Sequence, residues 1–177
     1  MRLLELAKAE LLRSNVDRRH PFKLLTLATS GVEFPEVRTV VKRHSDTEFN
    51  ILIYTDSRTP KVFQVKENAK VSALFYHDKK KLQVRIKAHG QLVEYQDSLY
   101  LEHLHKVKSS SNTKDYRTNS APGSPIEESV ILNDKLNFCL LKLIPKEIEV
   151  LQLGKEKHQR AKYTSNHGQW FEQKLVP

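Results

Sequence analysis

The stretch IYTDSRTPKVFQ, residues 53–64, joins an apolar run to a helix-like segment through a strongly polar turn. The run 51–54 (ILIY) is typical of a buried strand, and the residues from Pro60 onwards predict a short helix over 59–67. Hydroxyl groups and cations are concentrated between them, at Thr55, Ser57, Arg58, Thr59 and Lys61. The pattern therefore predicts a strand, a turn and a helix, with unusual chemistry in the turn.

Two interpretations of this turn fit the residues. A turn that opens a helix offers free backbone N–H groups and a partial positive charge, and Arg58 and Lys61 add full charges, so the turn would cradle a phosphate. Alternatively, Asp56, Ser57 or Thr59 is an ordinary helix cap and the cations are solvated. The turn lacks the glycines of a Walker loop or a dinucleotide fingerprint, so those two motifs are absent.

Short apolar or alternating runs on both sides of the turn predict strands. They cover residues 22–28, 37–43, 49–55, 71–76 and 82–94, and then 136–153, 159–164 and 169–175. An amphipathic helix is predicted at the N-terminus, where Glu5, Lys8 and Glu10 interrupt the apolar run and argue against a signal peptide. The strand spacing indicates a mainly β fold, an antiparallel barrel with peripheral helices, in a single domain spanning residues 1–177.

The region between the two groups of strands is predicted to contain helices and a loop. Asp97 can cap a helix that carries Leu101, Leu104 and Val107 on one side. Residues 106–124 are polar and rich in Ser and Asn, which predicts a loop that is mobile or ordered only by a partner. Residues 126–136 predict a further short helix.

The 177-residue chain carries a formal net charge of +9, which is compatible with nucleic acid, an anionic surface or a phosphorylated ligand as partner. No apolar run approaches the roughly 18 residues of a membrane helix. The single cysteine, Cys139, cannot form an internal disulfide, so a reducing cytoplasm fits, and its apolar neighbours predict a buried, inert thiol. The histidines have no matching cysteine or carboxylate cluster, so no metal site is predicted.

Three further residues bear on whether the chain binds a phosphorylated ligand. Arg38 lies among valines, where a charge is costly without a partner. Lys42 has the pattern of an exposed lysine on an edge strand. Gln83, in the run LQVRI, is either solvated or able to hydrogen-bond a planar polar ring.

In their order along the chain, these residues resemble the pyridoxamine 5'-phosphate oxidase superfamily of FMN-binding split barrels. The similar segments are RTVVKR at 38–43, YTDSRTPK at 54–61, QVR at 83–85, the loop at 120–126 and WFEQKLVP at 170–177. The resemblance implies an antiparallel Greek-key split β-barrel that binds FMN. It also implies a homodimer with two flavin sites at the subunit interface.

The resemblance also implies which residues hold FMN. Arg38, Arg58 or Thr59, and Lys61 would bind the phosphate, Gln83 would contact the ring, and Asn119, Ser120 and Arg160 would reach it from the partner subunit. The full implied set is Arg38, Thr39, Val40, Val41, Arg43, Tyr54, Thr55, Arg58, Thr59, Lys61, Gln83, Asn119, Ser120 and Arg160.

The implied substrate site departs from the family pattern. The residues aligned with it are Arg43, His103, Ser111 and His158, with Lys106 and Lys108 flanking a position where the family has arginine. The family's Arg-x-His pair reads Glu156-Lys157-His158, so the histidine is kept and the charge of the arginine is reversed. This reversal argues against the pyridoxamine phosphate reaction. His158 is implied as a proton donor or hydrogen-bonding group beside the flavin, or it is structural.

These observations leave three functions open. The first is a cytoplasmic FMN-dependent oxidoreductase acting on an unidentified small molecule, with oxygen as acceptor or a nicotinamide cofactor as reductant. The second is a flavin-binding protein without turnover. The third is a basic nucleic-acid-binding barrel, which is disfavoured because the tyrosines are scattered through different elements and form no stripe among the cations. Neither a nucleic acid nor a membrane is therefore expected as a partner.

Overall fold

Eight antiparallel strands follow one another in a sheet that closes on itself. A computed structural model of the chain describes residues 2–126, 129–166 and 168–177, with all of their side chains except those of Ser111 and Asn112. The strands are β1 (Leu24–Ser30), β2 (Pro35–Ser45), β3 (Ile51–Asp56), β4 (Lys70–His77), β5 (Leu82–Leu92), β6 (Phe138–Gln152), β7 (Gln159–Asn166) and β8 (Gln169–Leu175). The helices are α1 (Leu3–Val16), α2 (Pro60–Glu67) and α3 (Ser98–Lys108), with 3₁₀ turns at Pro21–Lys23 and Ser111–Tyr116.

The strand order β3-β2-β1-β4-β5-β6 closes into a six-stranded barrel because β6 pairs back with β3. β4 lies beside β1 rather than β3, which is the 4-1-2-3 order of a Greek key. The 15-residue β6 pairs with β3 through its first half and with β7 through its second half. The predicted mainly β, antiparallel Greek-key barrel with peripheral helices is confirmed.

Alternation of side chains along each strand fills the barrel and leaves polar groups outside. In β5, Leu82, Val84 and Ile86 are buried, whereas Arg85 and Lys87 between them are exposed. Since a strand has a period of two, the same alternation in neighbouring strands gives one apolar interior and one polar outer face. Cys139 is buried, as predicted, and burial raises the pKa of its thiol to about 11, so the thiol stays protonated.

Helices cover the barrel where its strands end. α1 buries Leu3, Leu4, Ala7 and Leu11 against the core, as its amphipathic pattern predicts. α2 connects β3 to β4 and packs closely on β5, where a Cβ on Gly90 would lie 3.1 Å from a Val65 methyl carbon. Among the described helices, none is both long and apolar enough to cross a bilayer.

Three local predictions are wrong. Instead of a helix, the described part of 126–136 contains a β-bridge from Leu132 to Thr118, because the backbone of 131–133 bonds to that of 117–119. The expected loop 106–124 is partly helical, since α3 continues to Lys108 and a 3₁₀ helix covers Ser111–Tyr116. Lys42 is fully buried rather than exposed, beside a register shift between β2 and β3 that turns it inward.

Candidate functional site

The turn between β3 and α2 uses its own amides internally. The N–H of Ser57 donates to the Asn137 carbonyl at 2.8 Å, and the N–H of Arg58 donates to Asp56 Oδ1 at 2.8 Å. The N–H of Thr59 donates to the Asp56 carbonyl. The expectation that this turn offers free amides to a phosphate is therefore wrong for these three residues. Buried Asp56 accepts two of these N–H groups, one on its carboxylate and one on its carbonyl, whereas Thr59 at the N-cap of α2 makes no side-chain capping bond.

Side chains of the turn form a chain of hydrogen bonds in which Lys61 is the first donor. Thr59 Oγ1 donates to the Asp56 carbonyl at 2.8 Å, which leaves Thr55 Oγ1 to donate to Thr59 at 3.2 Å. Lys61 Nζ in turn donates to Thr55 Oγ1 at 3.1 Å. An ammonium has three N–H groups, so within the described contacts two remain available to a ligand.

Arg38 of β2 joins this group from the neighbouring strands. Its guanidinium donates to Thr29 Oγ1, to Glu36 at 2.7 Å and to Gln64 of α2 at 3.3 Å. These partners stabilise the charged Arg38 side chain, which lies among valines in the sequence. The Lys61 pKa is lowered, first by burial and then by the nearby Arg38 cation.

An anion between Arg38 and Lys61 would relieve the repulsion between them. Of the carboxylates in the described chain, Glu36 is the one paired directly with Arg38, and its side chain is half exposed. Two cations with hydroxyl groups beside them are the donor set that a phosphate prefers. We call Arg38, Thr55, Thr59 and Lys61 the phosphate cradle.

Arg58 lies in the same turn but faces a different neighbour. Its Nε and NH2 groups form a bidentate pair with buried Asp56 at 3.0 and 2.7 Å, and this pairing raises its pKa. Its remaining donors reach the Asn119 carbonyl and Thr118 Oγ1, both at 3.2 Å. Arg58 therefore ties the segment that carries Asn119 and Ser120 to the turn. Thr59, not Arg58, bonds within the cradle.

A second group of site residues surrounds a cavity of about 250 Å³ on the β2–β3 side. We call it the cation-lined cavity; its lining residues are Lys23, Arg43, Tyr54, Lys106, Val107, Ser110 and Tyr116. The guanidinium of Arg43 lies over the Tyr54 ring, 4.9 Å from its centroid, and its buried Nε has no hydrogen-bond partner among the described atoms. Burial and the nearby Arg43 and Arg18 cations lower the pKa of Lys23. An anion is the ligand that this cavity favours.

His103 stands behind this cavity rather than in its lining. The Tyr54 hydroxyl and His103 Nδ1 lie 2.5 Å apart. Burial raises the pKa of Tyr54 and lowers that of His103, so near neutral pH both groups are uncharged. In the tautomer with the proton on Nε2, His103 Nδ1 accepts the hydrogen bond from the Tyr54 hydroxyl. The side chain of Ser111, the other aligned substrate residue, lies outside the described part of the structure.

A third group occupies the outer face of the barrel. Gln83 lines a cavity of about 450 Å³ together with Arg85 and Glu149. Glu149 Oε1 accepts two hydrogen bonds from Arg160, at 3.0 and 2.7 Å, and one from Arg85. His158 is exposed in the β6–β7 connection, where it lines a separate cavity of about 690 Å³ with Arg160.

The β6–β7 connection that carries His158 depends on Gly154. A Cβ at Gly154 would lie 2.4 Å from the Lys157 carbonyl, so this turn requires glycine. Substituting Gly154 would therefore displace Lys157 and His158 together.

The structure thus brings the predicted residues together in three groups rather than one. Thr39, Val40 and Val41 link the first two groups along β2. Sequence reasoning missed Lys23 and Tyr116, which reach the cation-lined cavity from segments without a motif. It also missed Thr29, although a hydroxyl at an inward position of β1, after Leu25 and Leu27, was a usable signal.

Sequence comparison with known proteins identifies a family for this chain. Residues 5–94 match the family model described as pyridoxamine 5'-phosphate oxidase, FMN-binding domain. No curated protein matches the sequence significantly.

Among solved structures, a pyridoxamine 5'-phosphate oxidase-related, FMN-binding protein of Nostoc punctiforme is 24% identical. It covers 100% of this chain and 98% of its own, with a TM-score of 0.79. PhzG from Burkholderia lata, solved with tetrahydrophenazine-1-carboxylic acid, is 20% identical, with 98% and 92% coverage and a TM-score of 0.77. A FAD-binding protein of Mesorhizobium loti is 12% identical, with 84% and 94% coverage and a TM-score of 0.56. The TM-scores show that these proteins and this chain share a fold.

Proposed function

Because this chain belongs to the pyridoxamine 5'-phosphate oxidase FMN-binding domain family, we propose that it is an FMN-dependent oxidoreductase with a diverged, anion-binding substrate site. The observation that carries the proposal is the phosphate cradle, where Arg38 lies close enough to lower the Lys61 pKa and the hydroxyls of Thr55 and Thr59 lie beside Lys61. FMN, when bound, supplies hydride and electron transfer, which side chains alone cannot perform. The protein's part is to bind, orient and shield.

The three groups of residues divide the work of holding the cofactor. The cradle takes the phosphate, the β2 segment from Thr39 to Arg43 with Tyr54 and Thr55 follows the ribityl chain, and Gln83 contacts the ring. Asn119, Ser120 and Arg160 complete the site from a second copy of the chain. A dimer is supported by the separation of the groups within one chain and by exposed apolar side chains on the outer face, Val37 and Tyr76 among them. We propose that residues 1–177 form one FMN-binding domain and that the protein works in a reducing cytoplasm.

The substrate in this proposal carries a carboxylate or phosphate. The cation-lined cavity offers Lys23, Arg43 and Lys106 without an acidic lining residue in the described part of the chain. PhzG, solved with a carboxylic acid, is a family-fold protein with such a ligand. We assign Arg43, with His103 and Ser111 nearby, to the substrate side, and His158 to proton donation or hydrogen bonding beside the flavin. Exposed Glu156 disfavours pyridoxamine phosphate as that substrate.

The first test is the visible absorption spectrum of the purified protein, before and after FMN is added and the sample is desalted. We expect a retained two-band flavin spectrum and about 100-fold weaker FMN binding, or more, in Arg38→Ala plus Lys61→Ala, because two charge-assisted contacts are lost. Arg19→Ala plus Lys79→Ala removes the same charge from exposed positions and should bind normally. A wild-type protein that retains no FMN would refute the proposal.

The second test separates an oxidoreductase from a flavin-binding protein without turnover. FMN-loaded protein is mixed anaerobically with NADH, NADPH or anionic amines, and loss of flavin absorbance is followed. Bleaching with reoxidation in air supports the enzyme. Bleaching by none of them supports the binding protein, and robust turnover of pyridoxamine or pyridoxine phosphate would refute the diverged substrate site.

A further inference from the structure

We propose that His103 is a positioning residue, which acts through Tyr54 to hold Arg43 in place for an anionic ligand of the cation-lined cavity. The inference rests on the anion-binding substrate site of the proposed function and assigns a new role within it. It replaces direct contact between His103 and the ligand by a chain of two contacts, histidine to tyrosine and tyrosine to arginine.

Arg43 needs support because its surroundings in the cavity repel it. Lys23 and Lys106 share the lining, and the buried Nε of Arg43 finds no acceptor among the described atoms. An arginine side chain has several rotatable bonds, so without an anion it gains by turning toward water. Two described contacts oppose this: a cation–π interaction with the Tyr54 ring face at 4.9 Å, and a hydrogen bond to the Tyr116 side chain.

The Tyr54 ring is in turn fixed from behind. Its hydroxyl bonds to His103 Nδ1 at 2.5 Å, and its edge packs against Phe138 with ring centroids 5.1 Å apart. A phenol that donates a hydrogen bond carries more electron density on its oxygen and ring, which strengthens the attraction for the guanidinium above it. Loss of the acceptor would leave a half-buried hydroxyl unpaired and the ring free to shift.

His103 does not itself reach the cavity in which the anion would bind beside Arg43. Its side chain is 6% exposed and lies outside the lining of the cavity. Its ring meets Tyr54 edge to face, with centroids 5.5 Å apart. The geometry therefore routes any influence of His103 on the cavity through Tyr54.

The experiment is a titration with inorganic phosphate, followed by ¹H–¹⁵N NMR of the arginine Nε–H signals in FMN-saturated protein. The Arg43 signal is identified by its loss in Arg43→Lys, and the Arg38 signal reports separately on the cradle. Phosphate should shift the Arg43 signal. Tyr54→Phe and His103→Leu should each weaken phosphate binding about tenfold, the scale of one cation–π contact with its support.

A double-mutant cycle decides the route of the effect. If His103 acts through Tyr54, Tyr54→Phe plus His103→Leu should bind phosphate no more weakly than either single variant. His103→Asn, whose Oδ1 can accept the Tyr54 hydroxyl, should recover most of the affinity. Multiplying effects in the double variant, an unaffected His103→Leu, or an Arg43 signal that ignores phosphate would each overturn the proposal.

The test remains decisive if one variant does not fold or if the protein binds no flavin. If His103→Leu does not fold, Tyr54→Phe and His103→Asn still provide the comparison, because both keep the cavity's volume nearly constant. Failure of the proposed function has a different signature: the wild-type protein retains no flavin colour, yet in the flavin-free protein phosphate still shifts the Arg43 signal and His103→Leu still weakens phosphate binding. A coloured protein whose Arg43 signal ignores phosphate retains the flavin assignment and loses this one.

Discussion

At the scale of single residues, Lys42 carries a full charge into the protein without a carboxylate partner among the described residues. Its Nζ donates to Asn15 Oδ1 and, at 3.1 Å, to Ser45 Oγ, which donates to the Leu11 carbonyl near the C-terminal end of α1. The partial negative charge of that helix end favours a cation there. Burial nevertheless dominates and lowers the Lys42 pKa to about 8.

This residue predicts an unusual pH dependence of stability. Between pH 8 and about 10.5, the ordinary lysine pKa, the unfolded chain binds more protons at Lys42 than the folded protein does. The free energy of unfolding should therefore rise with pH across this window, by up to about 3 kcal/mol. Urea denaturation at several pH values should show this rise relative to Lys42→Met. Parallel pH curves for the two proteins would contradict the prediction.

At the scale of elements, one buried carboxylate of α1 adds polar contacts to the apolar packing of this helix on the barrel. Glu10 accepts hydrogen bonds from His20 at 3.0 Å and from Lys80 in the β4–β5 turn, and Arg13 lies 3.4 Å away. His77 completes a cluster whose ligand atoms lie within 4.8 Å of one another, a composition that also suits a metal. His20 Nδ1, however, accepts the Phe22 N–H, so its proton sits on Nε2 and faces Glu10. The cluster is therefore arranged for hydrogen bonding.

Glu10→Gln tests these polar contacts. We expect a loss of about 2 kcal/mol in the free energy of unfolding at pH 7, because a buried acceptor of charge-assisted bonds is lost. The Glu10 pKa is lowered by Lys80 and His20 against the opposing effect of burial, so its contribution is present at neutral pH and disappears as acid protonates it. The stabilities of variant and wild type should thus begin to converge as the pH falls below the ordinary glutamate pKa of about 4.5, and should meet below the lowered pKa of Glu10. Glu5→Gln, on the exposed side of α1, is the matched control.

At the scale of the whole molecule, local sequence patterns predict the strands and helices better than they predict which strands pair with each other. The alternation in β5 could be identified from sequence because its pattern is short and continuous. The choice of Arg38 and Lys61 as phosphate ligands rests on equally short motifs and stays a prediction. Closure of the barrel by β3 and β6 could not, since the pairing of Ile53 with Leu141 joins residues far apart in the chain. The same limit explains why the sequence favours a helix over 126–136, because the hydrogen-bond partners of 131–133 lie at 117–119, outside the local pattern.

The proposed dimer makes a prediction at this same scale. Val37→Glu places a charge on the outer face beside the Gln83 cavity and should give a monomer that loses FMN on desalting, because burying the carboxylate in the interface is costly. Val32→Glu changes a more exposed valine, in the β1–β2 connection, and should remain a dimer that holds FMN. Sedimentation velocity with absorbance detection measures both properties. A wild-type monomer that binds FMN tightly would rule out the interface.

The long strand β6 has a consequence for how this protein is made. Until β6 leaves the ribosome, β3 and β5 are open edges of an unfinished sheet, and unpaired edges recruit other chains. About 60 residues separate the end of β5 from the end of β6, roughly 3 to 12 seconds of synthesis at the usual rate of translation. The nascent chain therefore passes through an interval in which its first five strands are complete but cannot close. Chaperone protection matters most during that interval.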